Sequence, residues 1–161
     1  NSQSTMRREA ATSWQFEIPM DPYARKLIRT DFFHAKRELT GSVAVVLDGY
    51  LENRALALIQ PISRAFPKHT IIELIATDEP TAAPGGSVQA IAYLGFVELL
   101  SSGVVVVGDE VVWKKKVIGT IAGYDDTHMP NHQNVIVAVK KRISGKDLKW
   151  KVNEKVEFRR K

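Results

Sequence analysis

The sequence predicts a small, mostly antiparallel β-barrel with one principal covering helix, an α+β chain dominated by strands. Three observations carry this expectation. Six or more short apolar or alternating segments follow one another closely after Gly41, the spacing of an all-β barrel or sandwich. Gly103, Gly108-Asp109 and Gly123 punctuate the later ones, as tight turns require. Only one stretch of the central region, Leu51–Phe66, carries apolar residues at helical spacing, which supplies a single covering element.

In chain order, residues 1–13 are polar and aperiodic and read as an arm. Trp14–Ile18 alternates like an edge strand that Pro19 stops. Asp21-Pro22 fits a helix start, with Leu27, Ile28 and Phe32 on one face, although an irregular arm fits Asp21–Arg37 equally well. Ser42–Leu47 is an unbroken apolar run, read as a strand buried on both faces or ending at a helix. Leu51, Ala55, Leu58, Ile59 and Ile62 set the amphipathic helix, which Pro61 bends or shortens. Thr70–Ala76 is a strand. Thr77–Ser87, with Pro80, Pro84 and Gly85-Gly86, is a turn-rich loop. Val88–Leu99 is a strand in which Gly95 marks a bulge or a close approach. Val104–Val107, Glu110–Lys114, Lys116–Ala122 and Val135–Val139 follow as strands, and Lys149–Phe158 alternates as a terminal strand or hairpin.

The 161 residues fit one domain able to bury a large core. They divide into an N-terminal arm (1–40), a barrel core (41–140) and a basic extension (141–161). The chain has no cysteine, which excludes disulfides, thiolate nucleophiles and thiolate-bound zinc. No apolar stretch reaches the roughly 18 residues of a membrane span, and no signal-peptide run follows Arg7-Arg8. A cytoplasmic protein without a membrane partner is the expectation. The net charge of +5 is uneven: residues 140–161 hold ten Lys or Arg against three Asp or Glu, and the remainder is slightly acidic. Nucleic acid is therefore a disfavoured partner for the domain as a whole. Lys140–Lys146 with Lys149-Trp150-Lys151 still offers a phosphate contact and a stacking aromatic. A solubilising edge strand is the simpler account of those lysines.

The order of elements resembles a known family. Strand 42–47, helix 51–66 and strand 70–76 precede Asp78-Glu79-Pro80; then come strand 88–99, Val107-Gly108-Asp109-Glu110-Val111, strand 116–122 and the strand after Asn131-His132. Over about residues 42–140 this resembles the enzyme A component of glucitol/sorbitol phosphotransferase systems. The resemblance implies a barrel with a pocket at one end, and in that family a middle-strand histidine carries the phosphoryl group. The matching stretch here, Ala92–Glu98, has no histidine, so phosphorelay chemistry is not carried over. The chain also looks like an uncharacterised bacterial family of small barrel proteins with a Thr-His-Met-Pro-Asn-His segment.

The segment from Asp125 to Asn134 is the candidate site. It holds two carboxylates, two imidazoles and three amides between apolar strands, and binding groups concentrate on such loops. His128 or His132 is the natural general acid/base, with Asp125 or Asp126 orienting it. Asn131 and Asn134 offer amide contacts to a ligand. Asp126, His128 and His132 together are a two-His-one-carboxylate set for Zn, Mn or Fe. Pro130 interrupts the helix that His-x3-His spacing would need, and the same Asp and Asn residues also suit a loop that only caps its own turns.

Tyr93 and Glu98 are the next residues expected at such a pocket. Strict alternation puts Tyr93 with Gly95 and Val97, and Glu98 on the other face with Leu94 and Phe96, unless a bulge at Gly95 changes the register. His34 and His69 read as surface histidines. Pro84-Gly85-Gly86-Ser87 leads into a strand and lacks Lys-Ser/Thr, so it is no phosphate cradle.

The leading functional expectation is a small-molecule-binding barrel, with acid/base chemistry on a polar metabolite near residues 123–134. The alternative is a non-catalytic regulatory or scaffold module, and third comes nucleic-acid binding through the basic tail. Homo-oligomerisation through valine-rich strands such as Val104–Val107 is a further expectation.

Overall fold

A computed structural model describes residues 32–161. The strand expected at Trp14–Ile18 and most of the helix expected at Asp21–Arg37 lie outside them; residues 33–38 form neither helix nor strand. Twelve strands follow: β1 (Leu39–Val46), β2 (Tyr50–Leu51), β3 (Leu56–Ala57), β4 (Ser63–Phe66), β5 (Ile71–Thr77), β6 (Ser87–Val88), β7 (Ile91–Leu99), β8 (Gly103–Val106), β9 (Glu110–Trp113), β10 (Lys116–Asp125), β11 (Gln133–Ala138) and β12 (Lys155–Arg159). One short helix, α1 (Gly145–Leu148), precedes β12.

Seven of the strands close a barrel in the order β1-β12-β9-β10-β11-β5-β7, with β7 returning to β1. Every pairing is antiparallel except β11 with β5. Closure leaves no free edge in the ring. The interior is filled by residues of each stave: Leu39 and Val43, Ile72, Leu74 and Ala76, Leu94, Val97 and Leu99, Val111 and Trp113, Ile121 and Tyr124, Val135 and Val137, Val156 and Phe158. Tyr124 is fully buried and its hydroxyl donates to the Val105 carbonyl at 2.8 Å, which satisfies its polar end. The basic extension, read as a strand or hairpin, supplies β12, a stave between β1 and β9.

The principal covering helix is the main correction. Residues 51–66 fold as β2, an irregular crossing, β3 and β4. Ala55 takes a left-handed φ of 56°, and Pro61 has no amide hydrogen to give a helix. Leu56 and Leu58 are buried at strand spacing, not helical spacing, while Leu51 is 44 % exposed. The apolar residues of this segment serve two cores. Phe66 joins the barrel interior; Leu56 and Leu58 join Ile75, Val88, Ile91, Ala122 and Ile136 in a second cluster. The β3–β6 ribbon carries Leu56 and Val88 of that cluster onto the outer face of the barrel. β5 is therefore buried on both sides, the reason it reads as a continuous apolar run.

Two further expectations change. Val45 of the run Ser42–Leu47 is 44 % exposed, so that stave is not buried on both faces. Val104–Val106 pairs with β4, and Val105 and Val106 are buried. Trp150 is 4 % exposed and packs into the main core, so the aromatic considered as the less favoured stacking platform is not at the surface.

Gly95 behaves as expected. A Cβ there would collide with the Val45 carbonyl oxygen and press on the Trp150 ring, a close approach only glycine permits. The register of β7 slips beside it: Leu74 pairs with Gly95, but Ile75 pairs with Tyr93. This bulge decides which side chains of β7 share a face.

Candidate functional site

The loop from Asp125 to Asn134 joins β10 to β11 at the end of the barrel where β5 begins and β7 finishes. Its base is a cross-strand pair, Asp125 opposite Asn134. The Asp125 carboxylate is buried and accepts from the Thr127 amide (2.9 Å), the Asn134 side-chain amide (3.1 Å) and the Ala57 amide (3.1 Å). Burial pushes its pKa upward, but the Thr127, Asn134 and Ala57 hydrogen bonds outweigh it and hold the carboxyl below its ordinary value. Asp125 thus fixes the loop to β3 and β11. Asp126 accepts from the Gln133 side chain at 2.7 Å, and the same Gln133 amide holds the Asp125 carbonyl at 2.8 Å.

The two loop histidines stack, with ring centroids 5.0 Å apart. His132 is the better held. Its Nε2 lies 2.8 Å from Glu73 Oε1, and both side chains are about nine-tenths buried. The Asn131 side-chain amide stands 2.7 Å from Nδ1. An amide donor at Nδ1 leaves the hydrogen on Nε2, pointing at the carboxylate. Phe96 adds an edge-on ring contact at 5.0 Å. Glu73, Phe96 and Asn134 sit side by side on the outer face of β5, β7 and β11. His128 is exposed, and its Nε2 faces the Arg54 guanidinium at 3.4 Å. Arg54 also donates to the Tyr93 hydroxyl at 3.2 Å.

The expected split between Tyr93 and Glu98 does not hold. The bulge at Leu94–Gly95 turns Leu94 and Val97 inward and leaves Tyr93, Phe96 and Glu98 facing outward. Glu98 pairs with His69 Nδ1 at 2.9 Å, and His69 is exposed, as expected of a surface histidine. Beside these groups runs a groove of about 470 Å³, lined by Arg64, Phe66, His69, Ile71, Asn131 and His132 among others.

Asp126, His128 and His132 do not assemble as a metal set. Each carries a different partner: Gln133, the cationic Arg54 and Glu73. Among the described residues no three His, Asp or Glu side chains are grouped to hold a metal ion. Glu73, Arg54, Arg64, His69 and Phe96 are the site residues that the sequence reading did not bring in. One signal was present: Glu73 is a lone carboxylate in the apolar run Ile71–Ala76, and such residues are rarely buried without a partner.

Residues 33–159 match the model of a family described as a family of unknown function, DUF6917. The chain belongs to this DUF6917 family. The match spans the whole barrel, from β1 through β12. No curated protein and no solved structure matches the chain, and the resemblance to the phosphotransferase component finds no support beyond the barrel itself. Membership in DUF6917 assigns no activity, which leaves the chemistry of the groove to carry the functional reading.

Proposed function

We propose that this protein is a small-molecule-binding β-barrel whose groove beside His132 receives a polar metabolite, with the Glu73–His132 dyad supplying acid/base chemistry. The observation that carries the reading is the dyad itself: a buried carboxylate 2.8 Å from an imidazole that also lines an open groove. A carboxylate on one ring nitrogen fixes the tautomer and stabilises the imidazolium, which leaves the other nitrogen as the base. That other nitrogen is Nδ1, covered only by the exposed Asn131 side chain. A substrate hydroxyl or acidic C–H that displaces the Asn131 amide would meet Nδ1 directly. Asp125 and Asp126 serve this arrangement by shaping the loop, and His128 by stacking on His132. Arg54 sets the position of His128 and Tyr93.

The groove volume lies within the range of metabolite pockets. The test is the melting temperature of the protein against a set of polar metabolites. A binder raises it increasingly with concentration, and the rise is lost in His132→Gln. A set in which nothing raises it, or a rise that His132→Gln leaves intact, overturns the reading.

A further inference from the structure

Among the described residues Arg64 has no ion-pair partner. It sits on β4 opposite Val105, half-buried at the edge of the groove. Its Nε is shielded from solvent and has no hydrogen-bond acceptor, and among the described residues no carboxylate pairs with it. A shielded guanidinium donor left unsatisfied is costly unless something supplies the acceptor. Its surroundings say what that something is. Of the twelve residues lining the groove one is arginine and two are histidines, and none is Asp or Glu. Glu73 and Glu98 lie close by, but each is engaged with a histidine, His132 and His69 respectively. Three other described arginines have partners: Arg142 is tied to Glu52 and Asp78, although its Nε also lacks a hydrogen bond, Arg159 to Glu110, and Arg54 to Tyr93 and His128.

We propose that the groove ligand carries a small oxyanion, a carboxylate or a phosphate monoester, and that Arg64 is the residue that binds it. This rests on the reading of the groove as the ligand site and adds the class of ligand. The planar guanidinium fork matches either oxyanion with two parallel N–H bonds. His69 flanks the anion, and its ring is already oriented by Glu98 through Nδ1. Phe66, Ile71 and Met129 form the apolar wall for the carbon skeleton. With the anion held at Arg64, the uncharged polar end of the molecule extends toward Asn131 and His132.

The experiment is a ¹H–¹⁵N NMR titration of the full chain with sodium phosphate, sodium succinate and the neutral polyol erythritol, at constant ionic strength. It follows the Arg64 Nε–H signal and the His132 ring nitrogens. The expected result is a saturable shift of Arg64 with phosphate, succinate or both, with apparent affinity falling at least tenfold in Arg64→Gln and less in Arg64→Lys. The lysine variant keeps the charge and the apolar stem, so it serves if the glutamine variant does not fold. No saturable shift with either anion, or binding by Arg64→Gln within twofold of wild type, overturns the proposal. If erythritol then shifts His132 while the anions do not, only the ligand class is wrong. If none of the three binds and the metabolite set also fails, the groove itself is not a ligand site.

Discussion

Asp125 and His132 stand seven residues apart on one loop and do different work. Asp125 is surrounded by donors, and its carboxyl is held below the ordinary value, so its stabilising effect has a definite pH range. A group whose folded pKa is depressed contributes stability above its unfolded pKa and loses it as pH falls through the folded value. The protein should lose stability on acidification below about pH 4. Asp125→Asn should be destabilised at neutral pH by about 2 kcal/mol, because an amide can accept only part of what the carboxylate accepts, and it should lose less on acidification. Denaturant unfolding of both proteins across the acid range checks this. His132 was legible in the sequence as a candidate base; Glu73 was not. The parallel pairing of β11 with β5 brings together residues 59 positions apart, and no local pattern reports such a pairing.

At the scale of elements, the strands were legible wherever one face meets the core, because alternation then marks the pleat. Residues 51–66 misled for a physical reason. Leu51, Ala55, Leu58 and Ile62 fit a helical stripe, but Leu56 and Leu58 are used two apart against the outer cluster, and Ala55 turns the chain with a positive φ. The Tyr93–Glu98 relation failed similarly, since one extra residue at the bulge reverses the faces. The β9–β10 hairpin offers a test of local strain. Lys114 and Lys115 both have positive φ, 49° and 63°, the conformation of a type I′ turn that normally selects Asn-Gly. Lys114 pairs with Glu154 and lies over Trp113. Lys115 is exposed, so Lys115→Gly should stabilise the protein by about 1 kcal/mol. Lys115→Ala, which keeps the strain, should leave stability nearly unchanged; chemical denaturation of the two variants separates them.

The whole molecule is a ring, and a ring has no dispensable stave. β12 arrives last in the chain yet sits between β1 and β9, carrying Val156 and Phe158 into the interior. A chain ending at Leu148 should therefore lack cooperative unfolding and dispersed NMR signals, because it loses Trp150 and exposes two strand edges. The interior is packed with side chains, and the groove opens outside it, lined by β4, the turn into β5 and residues 129–133 of the loop. Composition and spacing conveyed the barrel and the loop; the groove forms where β4 and the loop, far apart in sequence, come together.

The most direct test of that location is the ring-nitrogen spectrum of the four histidines, recorded while titrating the metabolite that raises the melting temperature most. The Glu73–His132 account predicts that the His132 signals move saturably, with His69 following and His34 unmoved. Stationary His132 signals during a confirmed thermal stabilisation would place the ligand elsewhere and contradict it.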